Sequence, residues 1–243
     1  MSNWKIGVFA ALAVAVSVIA PGQGAESPSA AIFVDCSASG TAGANGTRDQ
    51  PIRSLDSLNA IRFTPGTHIY FKRGTTCYGS FKPAAGSSGA PGAAIVVDAY
   101  GDRSLPRPVI AAGCRDTAAD PRQGETESQK TPSGISPYHS LCRKDDGVVR
   151  AAAVHLLNVV HWEINALELS NDGLAEAGRV GLLVQLEDFG TGSHYRINDV
   201  YVHHVHGYLE DRPGHSMPYK ATGGILFHVT RDGAGRRRPA LTM

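Results

Sequence analysis

The chain has 243 residues, with 23 Lys and Arg against 22 Asp and Glu, and a formal net charge of +1 with histidines neutral. So balanced a charge excludes a global field drawing the protein to nucleic acid or to an anionic membrane surface. With 28 glycines and only 7% aromatic residues, the composition points to many short strands joined by turns and away from a helical bundle.

Lys5 is followed by an uncharged apolar run, Ile6 to Ala20, and then by Pro21-Gly22-Gln23-Gly24-Ala25. A positive start, an apolar core and a small-residue end form the pattern of a cleavable secretion signal over residues 1–25. The run is shorter than the about 18–20 residues that a spanning helix needs. The mature chain, from Glu26, is therefore expected outside the cytoplasm, extracellular or periplasmic, with no membrane contact after cleavage. Loss of Lys5 leaves 22 basic and 22 acidic residues.

Ile32-Phe33-Val34-Asp35 reads as the first strand, and the Gly, Ala, Thr and Asn of Ser37 to Gln50 as a loop. Leu55, Leu58 and Ile61 are spaced by three behind Ser54, a good N-cap, which predicts one short amphipathic helix. Pro65-Gly66 turns the chain into the strand His68-Ile69-Tyr70-Phe71, which Gly74 ends. Pro83 to Gly92 is a loop of small residues; Ile95-Val96-Val97 and Pro108-Val109-Ile110 are strands. Arg115 to Lys130 has almost no apolar periodicity and forms part of a long polar excursion between Cys114 and Cys142. Excursions of that length inside a compact domain are usually functional or disordered.

The four cysteines, Cys36, Cys77, Cys114 and Cys142, contain no CxxC pair, so zinc and thioredoxin-like readings lack their spacing. In an exported chain an even count suggests two disulfides, with buried free thiols as the alternative. Four cysteines allow three pairings, among which sequence does not choose. The expectation is sequential, Cys36 with Cys77 and Cys114 with Cys142, since each bridge would brace one segment.

The second half carries an internal repeat. Trp162-Glu163-Ile164-Asn165-Ala166-Leu167-Glu168-Leu169 resembles Tyr195-Arg196-Ile197-Asn198-Asp199-Val200-Tyr201-Val202, 33 positions later. Gly181-Leu182-Leu183-Val184-Gln185-Leu186 resembles Gly224-Ile225-Leu226-Phe227-His228-Val229, 43 positions later. Ala153-Val154-His155-Leu156-Leu157 is an earlier relative of the second pair. Two strand types recurring in one order, with loops absorbing the unequal spacing, suit a solenoid whose neighbouring coils share one core.

These residues also resemble a family. Phe33-Val34-Asp35, Pro51-Ile52-Arg53-Ser54-Leu55, Pro65-Gly66-Thr67-His68-Ile69-Tyr70-Phe71-Lys72-Arg73-Gly74 and Ser88-Gly89-Ala90-Pro91-Gly92, with the repeat from Val154 to Val229, are similar to secreted proteins of the pectate-lyase-like superfamily. The resemblance implies an all-β, right-handed parallel β-helix with a short N-terminal capping helix over residues 26–229. It implies a carbohydrate-active protein, a polysaccharide lyase slightly ahead of a glycoside hydrolase. The competing readings are a non-catalytic extracellular polysaccharide-binding or surface protein and an inactive fragment. Family members run for many more coils. Here Ile225 to Val229 is followed by a basic tail, residues 230–243, read as irregular. An uncapped solenoid exposes its last coil, so the chain is expected to be the N-terminal part of a longer protein.

Elimination on an acidic polysaccharide needs neutralisation of the uronate carboxylate, a base and an acid; hydrolysis needs two carboxylates. The loop acids Glu187, Asp188 and Asp211, with Glu210 beside Asp211, and the histidines His203 and His206 are the catalytic candidates. His204 aligns with Asn171 at the 33-residue offset and reads as a turn-stacking residue. His68, His155 and His228 fall in strands and read as structural. The chain lacks the G-x-S-x-G elbow of a serine nucleophile, and it lacks a phosphate-binding glycine loop, so no nucleotide cofactor is expected. A lyase would bring calcium, held by Asp or Glu. The expected partner is polysaccharide, not nucleic acid, met by a monomer.

Overall fold

A computed structural model describes residues 30–38, 44–117, 142–175, 177–207, 222–230 and 240–242. The secretion signal and the candidates Glu210 and Asp211 lie outside the described residues. Among those described, no helix is long and apolar enough to cross a membrane.

In chain order the elements are β1 (Ala31–Val34), α1 (Leu55–Asn59), β2 (His68–Lys72), β3 (Thr76–Tyr78), β4 (Ile95–Tyr100), β5 (Val109–Ala111), β6 (Asp116–Thr117) and β7 (Cys142–Lys144). There follow β8 (Ala152–Leu157), β9 (Trp162–Asn165), β10 (Glu168–Asn171), β11 (Val180–Glu187), β12 (Thr191–Ser193), β13 (Tyr195–Asn198), β14 (Tyr201–Val205), β15 (Gly223–Thr230) and β16 (Ala240–Thr242). Among the described residues the fold is all-β apart from α1. Ser54 caps α1 by accepting from the Ser57 N–H at 3.2 Å, and Leu55 and Leu58 bury its apolar side.

Among the described residues, the three sheets of more than two strands are wholly parallel. The first has the order β1-β2-β4-β9-β13, the second β3-β5-β10-β14 and the third β8-β11-β15. Parallel neighbours cannot be joined by a tight turn. From β8 on, the chain instead leaves each sheet for the next and returns one strand further along. The register is the one the repeat implies: Trp162 pairs with Tyr195, and Leu182 with Ile225.

Strict alternation sends every second residue inward. Ile32, Ile69, Val97, Ile164 and Ile197 stand in register in the first sheet. Cys77, Ile110, Leu169 and Val202 do so in the second. In the third, Val154, Leu182 and Ile225 form one row and Leu156, Val184 and Phe227 another. Most of these side chains join one buried core. The third sheet's rows open at their far end: Leu182 and Val184 are fully covered, whereas Ile225 is 45% and Phe227 36% exposed.

Corners between sheets are turned by single residues in the left-handed region. His161 and His194 (φ 57° and 56°) occupy one corner in successive repeats, and Ala166 and Asp199 (both φ 53°) another. Asn, Asp and His are the non-glycine residues best suited to that conformation. Gly113 meets a different limit: a Cβ there would collide with the Asp172 carbonyl oxygen.

Both disulfides form in the sequential pairing, Cys36–Cys77 and Cys114–Cys142. The second closes the base of the polar excursion, where β6 and β7 pair antiparallel. The first ties β1's end to the inner row of the second sheet and closes a loop of 41 residues. Replacing Cys36 and Cys77 together by alanine is expected to cost about 2–5 kcal/mol, read as a lower urea midpoint without reductant. β16, inside the stretch read as an irregular tail, pairs in parallel with β12. Three residues need only backbone hydrogen bonds to do so, and no alternation announces them.

Candidate functional site

Outward-facing residues of the second sheet form two rows. Thr76, Val109, Glu168 and Tyr201 make one; Tyr78, Ala111, Ser170 and His203 make the other. His203 lies diagonally across the strand pair from Glu168, and its Nε2 is 2.7 Å from Glu168 Oε1. Both side chains are partly covered. Its ring stacks on Tyr201 with centroids 4.9 Å apart.

His204 does not stack on Asn171. The register slips between Ser170 and Asn171, so that Ser170 pairs with His203 and Asn171 with Val205. His204 is the extra residue of a β-bulge, held at φ 47°. A bulge re-aims side chains, and here it turns the His204 ring edge-on to His203, with their Nδ1 atoms in contact. When Glu168 accepts from His203 Nε2–H, His203 Nδ1 is an acceptor, and His204 Nδ1–H donates to it. A carboxylate and two imidazoles thus form one hydrogen-bonded row on the protein surface.

At the corner between the first and second sheets lies a pocket of about 540 Å³ lined by Arg73, Asp98, Arg103, Arg107 and Asp199. Arg107 grips the Asp199 carboxylate through Nε at 3.3 Å and through Nη2. That contact holds the Asp199 carboxyl below its ordinary value and the guanidinium above its own; Glu168 adds to the latter. Asp199 is the left-handed corner residue, so the turn itself delivers its side chain here.

At the other edge of the second sheet, Asp172 is buried, with Oδ1 accepting from the Gly173 N–H at 2.7 Å and lying 3.9 Å from His206 Nδ1. Arg179, also buried, donates to Asn171 Oδ1 at 3.3 Å and to the Ala175 carbonyl at 3.0 Å. Burial depresses the Arg179 guanidinium, against the pull of Asp172 and Asp145.

The sequence-derived candidates are therefore separated. His203 stands on the outer face of the second sheet and His206 at its edge. Glu187 ends β11 in the third sheet, its backbone tied to the Asn158 side chain at 2.8 and 3.1 Å. Asp188 turns the next corner at φ 48°. His155, in β8, is a buried histidine held by Gln185 at 2.9 Å, and burial pushes its imidazole down. Glu168, His204, Arg107 and Asp199 were not among the candidates. Glu168 could have been found from the repeat, since it matches Tyr201 at the 33-residue offset and so stands in the strand next to His203.

Two solved structures share this fold. They are the native and selenomethionine forms of the GH136 lacto-N-biosidase from Eubacterium ramulus, each aligned at a TM-score of 0.55. Sequence identity is 22% and 21%, over 83% and 84% of this chain. The chain spans only 30% and 31% of those two proteins, so the likeness is one of fold. No family model matches the sequence, and no curated relative does.

Among the described residues, no three His, Cys, Asp or Glu side chains converge as a metal site. Glu168 and Asp199 are engaged by His203 and Arg107, and calcium takes six to eight oxygen ligands. The described donor set does not fit that ion.

Proposed function

We propose that the protein is a secreted carbohydrate-active protein whose sheets wind as a right-handed parallel β-helix of the pectate-lyase-like kind. Polysaccharide lies along the outer face of the second sheet. The observation that carries this reading is the Glu168–His203 pair beside the Tyr201 ring, which stays 56% exposed; Tyr78, 44% exposed under the Arg115 guanidinium, stands at the far strand of the same sheet. Tyr78 is on β3 and Tyr201 on β14, three strand steps apart, which is about 14 Å. That separation suits a run of several sugar rings, with Tyr201 as a platform beside the acid–imidazole row. Two disulfides agree with an oxidising compartment, and the fold shared with a lacto-N-biosidase agrees with glycan chemistry.

The row offers a proton acceptor in the imidazole pair and a carboxylate to stabilise the cation that results. The two carboxylates flanking Arg107, Glu168 and Asp199, offer the pair that hydrolysis uses. An unsaturated product would assign elimination; a new reducing end without unsaturation would assign hydrolysis.

Tyr201→Ala tests the surface. Against a panel of soluble polysaccharides, the glycan that the wild-type chain retards most in affinity electrophoresis should bind the variant roughly 10–30-fold more weakly, as for an aromatic anchor at an interface. Unchanged retardation would remove the second sheet's outer face from consideration.

A further inference from the structure

We infer that the corner pocket of Arg73, Arg103 and Arg107 is a subsite for an anionic substituent, a carboxylate or a sulfate ester, carried by the bound glycan. This deepens the reading of the second sheet's outer face as a glycan surface and rests on it.

The charges in the pocket do not cancel. Three arginines line it against two aspartates. Asp199 is spent on Arg107. Asp98 Oδ1 accepts from the Ala99 N–H at 2.7 Å, so its charge is partly satisfied by its own backbone. Arg73 Nη1 makes one hydrogen bond, to the Leu105 carbonyl at 3.5 Å, the outer limit, and its charge helps Arg107 hold the Asp199 carboxyl down. Among the described residues Arg103 has no hydrogen-bond or ion-pair partner. Two guanidinium groups thus face one open concavity with most of their donors unused. A planar guanidinium fork matches the paired oxygens of a carboxylate or sulfate, and Arg serves this recognition better than Lys.

Position gives the pocket its role. Its Arg107 feels the charge of Glu168, the first member of the acid–imidazole row. The Glu168 N–H donates to the Pro108 carbonyl at 2.9 Å, which keeps β10 beside the strand that Arg107 leads into. A glycan lying over Tyr201 and Glu168 would bring a ring substituent over this corner. Unpaired arginines there favour a negative substituent and leave a neutral one without a partner for their charge.

Matched probes on one backbone separate the contributions: dextran, carboxymethyl dextran and dextran sulfate, titrated calorimetrically against the full chain. The double variant Arg73→Gln/Arg103→Gln should weaken binding of a charged dextran at least 10-fold relative to wild type, an effect on the order of 1.4 kcal/mol. Its binding should also become less sensitive to salt. Arg196→Gln, an exposed arginine of the first sheet, should leave binding unchanged and so controls for diffuse charge. Weakening for carboxymethyl dextran alone assigns a carboxylate, for dextran sulfate alone a sulfate ester, and for both the shared negative charge. The inference is overturned if wild type prefers neither charged dextran over dextran, or if the double variant binds them as wild type does. Should Tyr201→Ala still weaken the panel glycan in that case, the glycan surface stands without the subsite. Should Tyr201→Ala also have no effect, both readings fail.

Discussion

Trp162→Ala is expected to destabilise the protein by about 3–5 kcal/mol, the range for deleting a fully buried aromatic side chain. Trp162 is fully covered and meets Phe63 and Phe81 edge-on, each with ring centroids 6.0 Å away. Its indole Nε1 donates to the Ser87 carbonyl at 2.8 Å, holding the small-residue loop between β3 and β4 against the core. Its place in the topology raises the stakes. β9 pairs with β4 across 67 residues of chain, and Ile95 with Trp162 is the first rung of that pairing. The side chain therefore links the segment before the polar excursion to everything after it. Native stabilities of roughly 5–15 kcal/mol leave little after such a loss. Trp162→Phe separates the two contributions. It keeps most of the apolar contact but leaves the Ser87 carbonyl unsatisfied, at a cost of about 1–3 kcal/mol. Urea unfolding followed by circular dichroism reads both. A loss below 1 kcal/mol for Trp162→Ala would mean that the two halves are joined elsewhere.

What could be read from sequence was what repeats along the chain. The pairings Trp162 with Tyr195 and Leu182 with Ile225 are visible as offsets of 33 and 43, because inward residues must be apolar at every second position whichever sheet they serve. Ser54 announced α1 because a cap is a local device. The sequential disulfides followed from the same locality.

The candidate site is not local. Arg73, Arg107, Glu168 and Asp199 come from turns and strands dozens of residues apart, and each alone looks like a solvated surface charge. Only the stacking of parallel strands sets them side by side. His204 shows a second kind of failure. A fixed 33-residue offset maps it onto Asn171, but one bulged residue shifts the register and moves Val205 into that place. The feature that gives His204 its orientation is the insertion that defeats the offset. Glu187 and Asp188 were singled out for following a strand, a property shared by every corner of such a fold. Their place in the third sheet, or on the turn beyond it, separates them from His203.

His203→Ala should lower kcat on a glycan that the wild-type protein cleaves by about 10²–10⁴-fold, the usual contribution of a positioned acid–base group. The ring's partners, Glu168, His204 and Tyr201, belong to the outer face and not to the core. The ring itself is partly exposed on the outer face, and the inner neighbour Val202 carries the packing. The variant should therefore unfold at the wild-type urea midpoint within about 0.5 kcal/mol, as for a surface substitution. Glu168→Gln should lower kcat as well, by less. The amide can still accept from Nε2–H at the same place but cannot stabilise an imidazolium. If the carboxylate acts only through the imidazole pair, the double variant Glu168→Gln/His203→Ala should be no slower than His203→Ala alone, since groups that work as a unit are not additive. Two independent losses that multiplied would instead give Glu168 its own contact with the substrate, as one of the two carboxylates beside Arg107. Turnover by His203→Ala within a few-fold of wild type would remove the imidazole from the chemistry. Asp199 and Glu168 would then be the groups to replace next.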